Sequence, residues 1–222
     1  MCGDPLSGEG DERVTGMVTR LLLGSTLLLM SSAISAAEGK SATSAPAVPA
    51  YAERGLPGPG HKMLEPLAGK WRVEKELYVA GGTREKPLRS REITSHREWL
   101  ADGRFLRDET EGRIAGSRYW RLGLLGYSTM DQCYEWVTID ALNSNMMIYR
   151  GAPGSGPHLP ITVAGTFTDQ GIISEDTAGK SVKQRVVIRI ESADRHVIEL
   201  YFQPPGRDEL LADRSVYTRI AE

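Results

Sequence analysis

From Lys70 onward the chain repeats one arrangement: a short run of alternating apolar and polar residues, a cluster of turn formers, then another run. Few folds accept that pattern. The first instance reads LEPLAGKWRVEKELYVA, Leu64 to Ala80, and sets Trp71, Val73, Leu77 and Val79 against Arg72, Glu74 and Glu76. Side chains along a strand point alternately to its two faces, so this segment reads as a strand with one dry and one wet face. It closes on the turn signal AGGTREKP.

Further segments of the same kind follow. A second strand runs over Ser90–Leu100 and stops at ADG; a third is RFLRDETEG, Arg104 to Gly112. The fourth, RYWRLGLLGYS (Arg118 to Ser128), contains Gly123 and Gly126, which suggest a bulge or a sharply coiled strand. CYEWVTIDA (Cys133 to Ala141) and the short NMMIYRG come next, before a proline- and glycine-rich loop, APGSGPHLP. The last four read ITVAGTFTD, VKQRVVIRIES, HVIELYFQ and LLADRSVYTRI. Short strands at regular spacing point to an antiparallel sandwich or barrel. Short links between neighbours favour an up-and-down meander, and closing it removes exposed edges. The expected fold is therefore all-β, an antiparallel up-and-down barrel of about eight to ten strands, with a lumen that can hold one small ligand. A short helix, HKMLEPLAG, plugs one end and stops at Pro66 and Gly69.

The residues ahead of the plug have a different character. From Met17 the order is one arginine, an apolar run from Leu21 to Met30, then small residues ending at Ala36 and Ala37. That is the order of a secretory signal peptide. The apolar run falls well short of the ~20 residues needed to span hydrocarbon, so stable membrane insertion is not expected once the signal is cleaved. Residues 1–37 thus read as an export signal to the periplasm or exterior. Met17 is the alternative start, because the acidic stretch before it fits a signal poorly. Residues 38–60, rich in Ala, Ser, Pro and Gly, read as a flexible tether, and 61–222 as the barrel domain.

Charge and cysteine content exclude some functions. Removing residues 1–37 takes out four acids (Asp4, Glu9, Asp11, Glu12) and two bases (Arg13, Arg20), which moves the formal charge from -2 to 0. A neutral surface with its bases interleaved among acids lacks the field that gathers nucleic acid. Cys2 precedes the signal, so Cys133 stands alone in the exported chain and no internal disulfide can form. It reads as a buried strand residue.

Two resemblances sharpen the fold. Gly69-Lys70-Trp71 resembles the Gly-x-Trp signature that opens the first strand of lipocalin-like (calycin) barrels. In those proteins a cation from the last strand lies across the indole, and the resemblance implies that Arg219, in VYTRI, does so here. A wider likeness spans His61 to Arg219. PGPGHKMLEPLAGKW, DGRFLRDE, LGYS, YEWVTID and SVYTRI resemble the bacterial family catalogued as domain of unknown function 1579. Its members carry Pro-x-x-His-x-x-Leu-x-x-Leu-x-Gly-x-Trp, a Gly-Arg-Phe-Leu strand, a Gly-Tyr-Asp turn and a closing Tyr-Thr-Arg. Here Ser128 replaces the aspartate, and a tryptophan of the fifth strand is displaced to Trp136. The family has no agreed activity, so the resemblance implies a fold and not a chemistry.

Candidate site residues come from the strand period. Tyr134, Trp136, Thr138 and Asp140 share one face of the fifth strand; turned inward, they supply two aromatics, a hydroxyl and a carboxylate to the lumen. Tyr127 joins them from the fourth strand. His61, which the resemblance places at the head of the plug, can donate or accept a proton at the barrel mouth. Against these stand plainer roles: a helix-start histidine packed beside Trp71 or bonded to a loop carbonyl, and a strand-end carboxylate at Asp140 bonded to turn amides. The acids Asp108, Glu109 and Glu111 read as a solvated face, with Arg97 or Arg107 as partners. His61, His96, His158 and His196 have no metal-ligand spacing. A haem held by His158 or His196 is the one cofactor alternative. No nucleophile elbow, phosphate loop or dinucleotide fingerprint occurs. The sequence thus points to an exported barrel that binds a small, largely apolar ligand. Its rivals are a hydrolase or isomerase working through Asp140 or His61, and a cell-envelope interaction protein with a filled barrel.

Overall fold

The computed structural model describes residues 48–221. The signal segment 1–37 and the first part of the tether lie outside the described residues. Ten strands make up the rest: β1 (Gly69–Leu77), β2 (Leu88–Leu100), β3 (Phe105–Ile114), β4 (Ser117–Ser128), β5 (Cys133–Asp140), β6 (Met147–Arg150), β7 (Ile161–Thr168), β8 (Ser181–Ser192), β9 (Arg195–Gln203) and β10 (Leu210–Arg219). Each pairs antiparallel with its sequence neighbours, and β10 returns to β1, so the sheet closes into a ten-stranded up-and-down barrel. The alternation predicts this fold because each strand has one apolar face, and only a closed sheet gives all ten faces a common interior. The weakest joint is between β6 and β7, which share a single register pair, Arg150 with Ala164.

One end of the barrel is sealed. Helix α1 (Ala50–Arg54) leads to α2 (Pro59–Lys62), followed by a 3-10 turn at Glu65–Leu67. The plug is therefore an α turn and a 3-10 turn rather than one continuous helix, because Pro66 has no N–H to donate back into an α-helical ladder. Leu64 and Leu67 are fully buried against the barrel floor. Trp71 Nε1 donates to Leu67 O at 3.0 Å. Gly69 takes φ +112°, and a Cβ there would stand 2.5 Å from Arg219 Nη1; only glycine fits both the backbone and the space.

Two expectations change. The stretch read as a tether takes a regular course from residue 50, and the barrel grips it: Arg104 Nε donates to Gly55 O and Thr129 Oγ1 to Arg54 O. The glycines of β4 do not mark a bulge, since β4 keeps unbroken register with both β3 and β5. They make room instead. A Cβ at Gly123 would lie 2.7 Å from Trp136 Nε1, and one at Gly126 would lie 2.9 Å from the Phe105 ring. The register shifts fall in β1, β8 and β10.

Candidate functional site

The lumen has two halves of different character. Nearest the plug it is filled. The His196 ring meets Trp71 edge-on at 4.3 Å between centroids and stacks on Tyr217 at 4.4 Å. Arg97 covers the Tyr217 ring at 4.4 Å and sets Nη1 2.6 Å from His196 Nε2. A guanidinium can only donate, so His196 Nε2 is the acceptor and its proton sits on Nδ1. Burial, reinforced by the Arg97 charge, drops the His196 pKa to about 2.

Asp108 is the hub of this half. It is 3% exposed and accepts from Ser95 Oγ (2.7 Å), Thr110 Oγ1 (3.0 Å), Arg97 Nη2 (3.3 Å) and Arg121 Nη2 (2.7 Å). Burial would raise its carboxyl, but Arg97, Arg121 and the Ser95 hydroxyl hold it far below the ordinary carboxylate range. The sequence reading of Asp108 as part of a solvated acidic run is therefore corrected. Leu106, Asp108 and Thr110 share the inner face of β3 with Ile114, while Glu109 and Glu111 share the other; Glu109 there bonds Arg107 and Trp120.

Away from the plug the lumen opens into a cavity. It has about 100 Å³ of room for water-sized molecules, within a total empty space of about 900 Å³ that includes the open mouth. Its walls are apolar at Leu77, Met147, Phe167 and Phe202 and aromatic at Trp136, Tyr119 and Tyr149. Lys75, Arg121, Thr138 and Ser215 bring polar groups into it, and Asn143, Asn145 and Gln170 line the entrance. Lys75 forms an ion pair with Asp213 and donates to Ser215 Oγ at 3.3 Å. Burial raises the Tyr119 and Tyr149 phenols above their ordinary value, so both are neutral hydroxyls.

The structure divides the sequence candidates between the two ends. Strand β5 runs the height of the barrel, and Tyr134 and Asp140, six residues apart, are about 20 Å from each other at ~3.3 Å per residue. Trp136, Thr138 and Asp140 line the open cavity. His61, Tyr127 and Tyr134 gather at the plug instead: His61 meets Tyr127 at 5.9 Å, Tyr127 meets Tyr134 at 5.1 Å, and Tyr134 meets His158 at 6.1 Å, all edge-on. Burial pushes the Tyr134 phenol up to about 12. His61 packs beside Tyr127 and not beside Trp71, and its Nδ1 accepts the Gly58 amide at 3.0 Å. Asp140 takes the plainer of its two roles: Oδ1 accepts from the Leu142 and Asn143 amides at 2.7 and 3.2 Å. Cys133 is buried at the start of β5.

Sequence reasoning passed over Lys75 and Arg121. The signal was present, because Lys75 has the parity of Trp71, Val73 and Leu77, and Arg121 that of Tyr119 and Leu125. Of the two haem candidates, His196 has no room for a ligand on either ring nitrogen. His196 is enclosed by Trp71, Tyr217 and Arg97, and His158 turns its Nδ1 to Gly156 O at 3.0 Å beside the filled end. Among the described residues no group of three or more His, Cys, Asp or Glu is placed to hold a metal ion. Nor is any helix among them long and apolar enough to cross a membrane.

Comparison with other proteins gives a family and leaves the ligand open. The model of a protein family described as of unknown function, DUF1579, matches residues 56–219. No curated protein matches the sequence. Among solved structures, EF1p2_mFAP2b bound to DFHBI is similar over 72% of this chain and 98% of its own, at 10% identity and a TM-score of 0.37. The S-type phycobiliprotein lyase CPES from Guillardia theta is similar over 77% of this chain and 97% of its own, at 11% identity and a TM-score of 0.40.

Proposed function

The chain belongs to the DUF1579 family, and from that premise, which carries no activity with it, we propose that it binds one small, largely apolar molecule in the open half of its barrel. The observation that carries this reading is the cavity itself: a concave, mostly apolar space with a few polar groups converging on its floor, which is how small-molecule sites are built. Its size limits the guest. One water takes up about 10–15 Å³ of such space, so the room available suits a molecule of one ring or a short branched chain.

Export is the second part of the proposal, and it draws on the basic, apolar and small-residue order of residues 17–37. A hydrolase or isomerase draws little support, because Asp140 spends its carboxylate on loop amides and His61 sits at the opposite, filled end. The interaction-protein reading draws on an outer groove of about 350 Å³ lined by Phe105, Leu124, Val137 and Ile148.

Native mass spectrometry of the purified protein, with displacement of a solvatochromic dye, tests the binding reading. A retained small molecule, or a dye that enters and is displaced by one-ring compounds, is expected. A protein that takes up neither is contrary to it.

A further inference from the structure

The ligand-binding reading can be taken one step further, to the chemistry of the guest, because the floor of the cavity has more donors than acceptors to satisfy them. Arg121 uses Nη2 on Asp108, Thr110 and Tyr217. Its Nε–H is buried and has no partner among the described residues. The Trp136 Nε1–H is in the same condition, and the Trp136 ring lies 5.3 Å from the Arg121 guanidinium carbon. Lys75 carries three N–H groups, of which two are turned to Asp213 and Ser215. Lys75, Arg121 and Trp136 all line one cavity, and neither a guanidinium nor an indole nitrogen can accept a hydrogen bond.

The carboxylates nearby are already committed. Asp108 serves Arg97, Arg121, Ser95 and Thr110, and Asp213 serves Lys75 and Ser215. Asp140, the register partner of Arg121 on the neighbouring strand, also lines the cavity and opposes an anion there, and its Oδ1 is bonded to two loop amides. Buried donors without acceptors are costly and rarely persist in folded proteins, so what enters this space must bring acceptors. Hydrogen bonds from a guanidinium to an ionised oxygen are the strongest available to it. We propose that the guest is a small monocarboxylate. Its carboxylate rests on Arg121 and Trp136, within reach of Lys75, and its apolar body extends toward Met147 and Phe167 at the mouth.

The proposal is tested by titrating the full chain with phenylacetate and with its neutral isostere phenylacetamide, in the wild type and in Arg121→Gln. Phenylacetate is expected to bind at least about tenfold more tightly than the amide, the worth of one charge-assisted contact. Arg121→Gln should remove that preference, so that the two probes bind with equal affinity. Equal affinity for the two probes overturns the carboxylate assignment and leaves the binding pocket standing, since a neutral acceptor or a water then satisfies the donors. Binding of neither probe overturns both. Should Arg121→Gln fail to fold, the wild-type Arg121 Nε–H resonance gives the answer. A downfield shift with phenylacetate and none with phenylacetamide is expected, and an unmoved resonance overturns the proposal.

Discussion

Arg219 lies across the indole of Trp71, its guanidinium carbon 4.2 Å from the ring centroid, and the two residues are direct register partners where the last strand meets the first. The same guanidinium donates to Pro66 O and Ala68 O in the plug and to Ala193 O in the β8–β9 turn. One side chain thus joins the closing seam, the plug and a turn. Stacking on an indole is worth about 1–2 kcal/mol when desolvated, and each hydrogen bond adds about 1 kcal/mol.

Arg219→Ala should therefore lower the unfolding free energy by up to about 4–5 kcal/mol in a urea titration. Arg219→Lys should recover less than half of that, because an ammonium has neither the flat face nor the fork that reaches three carbonyls. A loss below about 0.5 kcal/mol for the alanine variant, the range of ordinary surface changes, is contrary to this account.

Neighbouring acids on β3 should behave in opposite ways. Asp108→Asn leaves Arg97 and Arg121 facing each other without their shared anion and should cost about 3–5 kcal/mol. Glu109→Gln, on the outer face, should change stability by less than about 1 kcal/mol. Paired urea titrations check the contrast, and equal costs would mean that β3 is turned the other way.

The filled half of the lumen also sets the response to acid. His196 stays neutral in the folded protein down to about pH 2, whereas the unfolded chain takes up that proton near 6.5. Below that point the unfolded state binds the extra proton, so stability falls as pH falls, by up to about 1.4 kcal/mol per pH unit. His61, also lowered, by burial and then by Arg104, acts in the same direction. Asp108 stabilises the fold above its unfolded pKa of about 4 and gives up that contribution as pH drops below it. Thermal melts should decline from about pH 6.5 and more steeply below about 4. His196→Gln should flatten the upper stage and keep the lower one.

These contrasts also show what could be read in the sequence. The ten strands and the closing pair could be read because period-two alternation and Gly69-x-Trp71 are local signals. The buried charges were harder, because Lys75, Asp108 and Arg121 are types that usually mark an outer face, and parity alone shows them to be inside. Strand parity also says nothing of height along the barrel. Tyr134 and Asp140 share a face of β5 yet lie at opposite ends, one in the filled half and one at the mouth. The hydrogen bonds of Asp140 come from the loop after it, whose amides reach back to its carboxylate.

Filling the cavity should abolish binding without loss of the fold. Met147 is partly exposed and lines the opening. Met147→Trp adds bulk where there is room for it and should cost no more than about 1–3 kcal/mol. Dye uptake should disappear while the β-sheet circular dichroism is retained. Unchanged uptake would place the dye elsewhere on the molecule.

The division of the lumen into a filled half and a receptive half is tested most directly by a backbone amide NMR titration with a one-ring probe. Shifts should cluster around Thr138, Met147, Phe167 and Phe202, with His61, Tyr127 and Tyr134 unmoved. Shifts centred on those three plug-end residues, or none anywhere in the barrel, would contradict it.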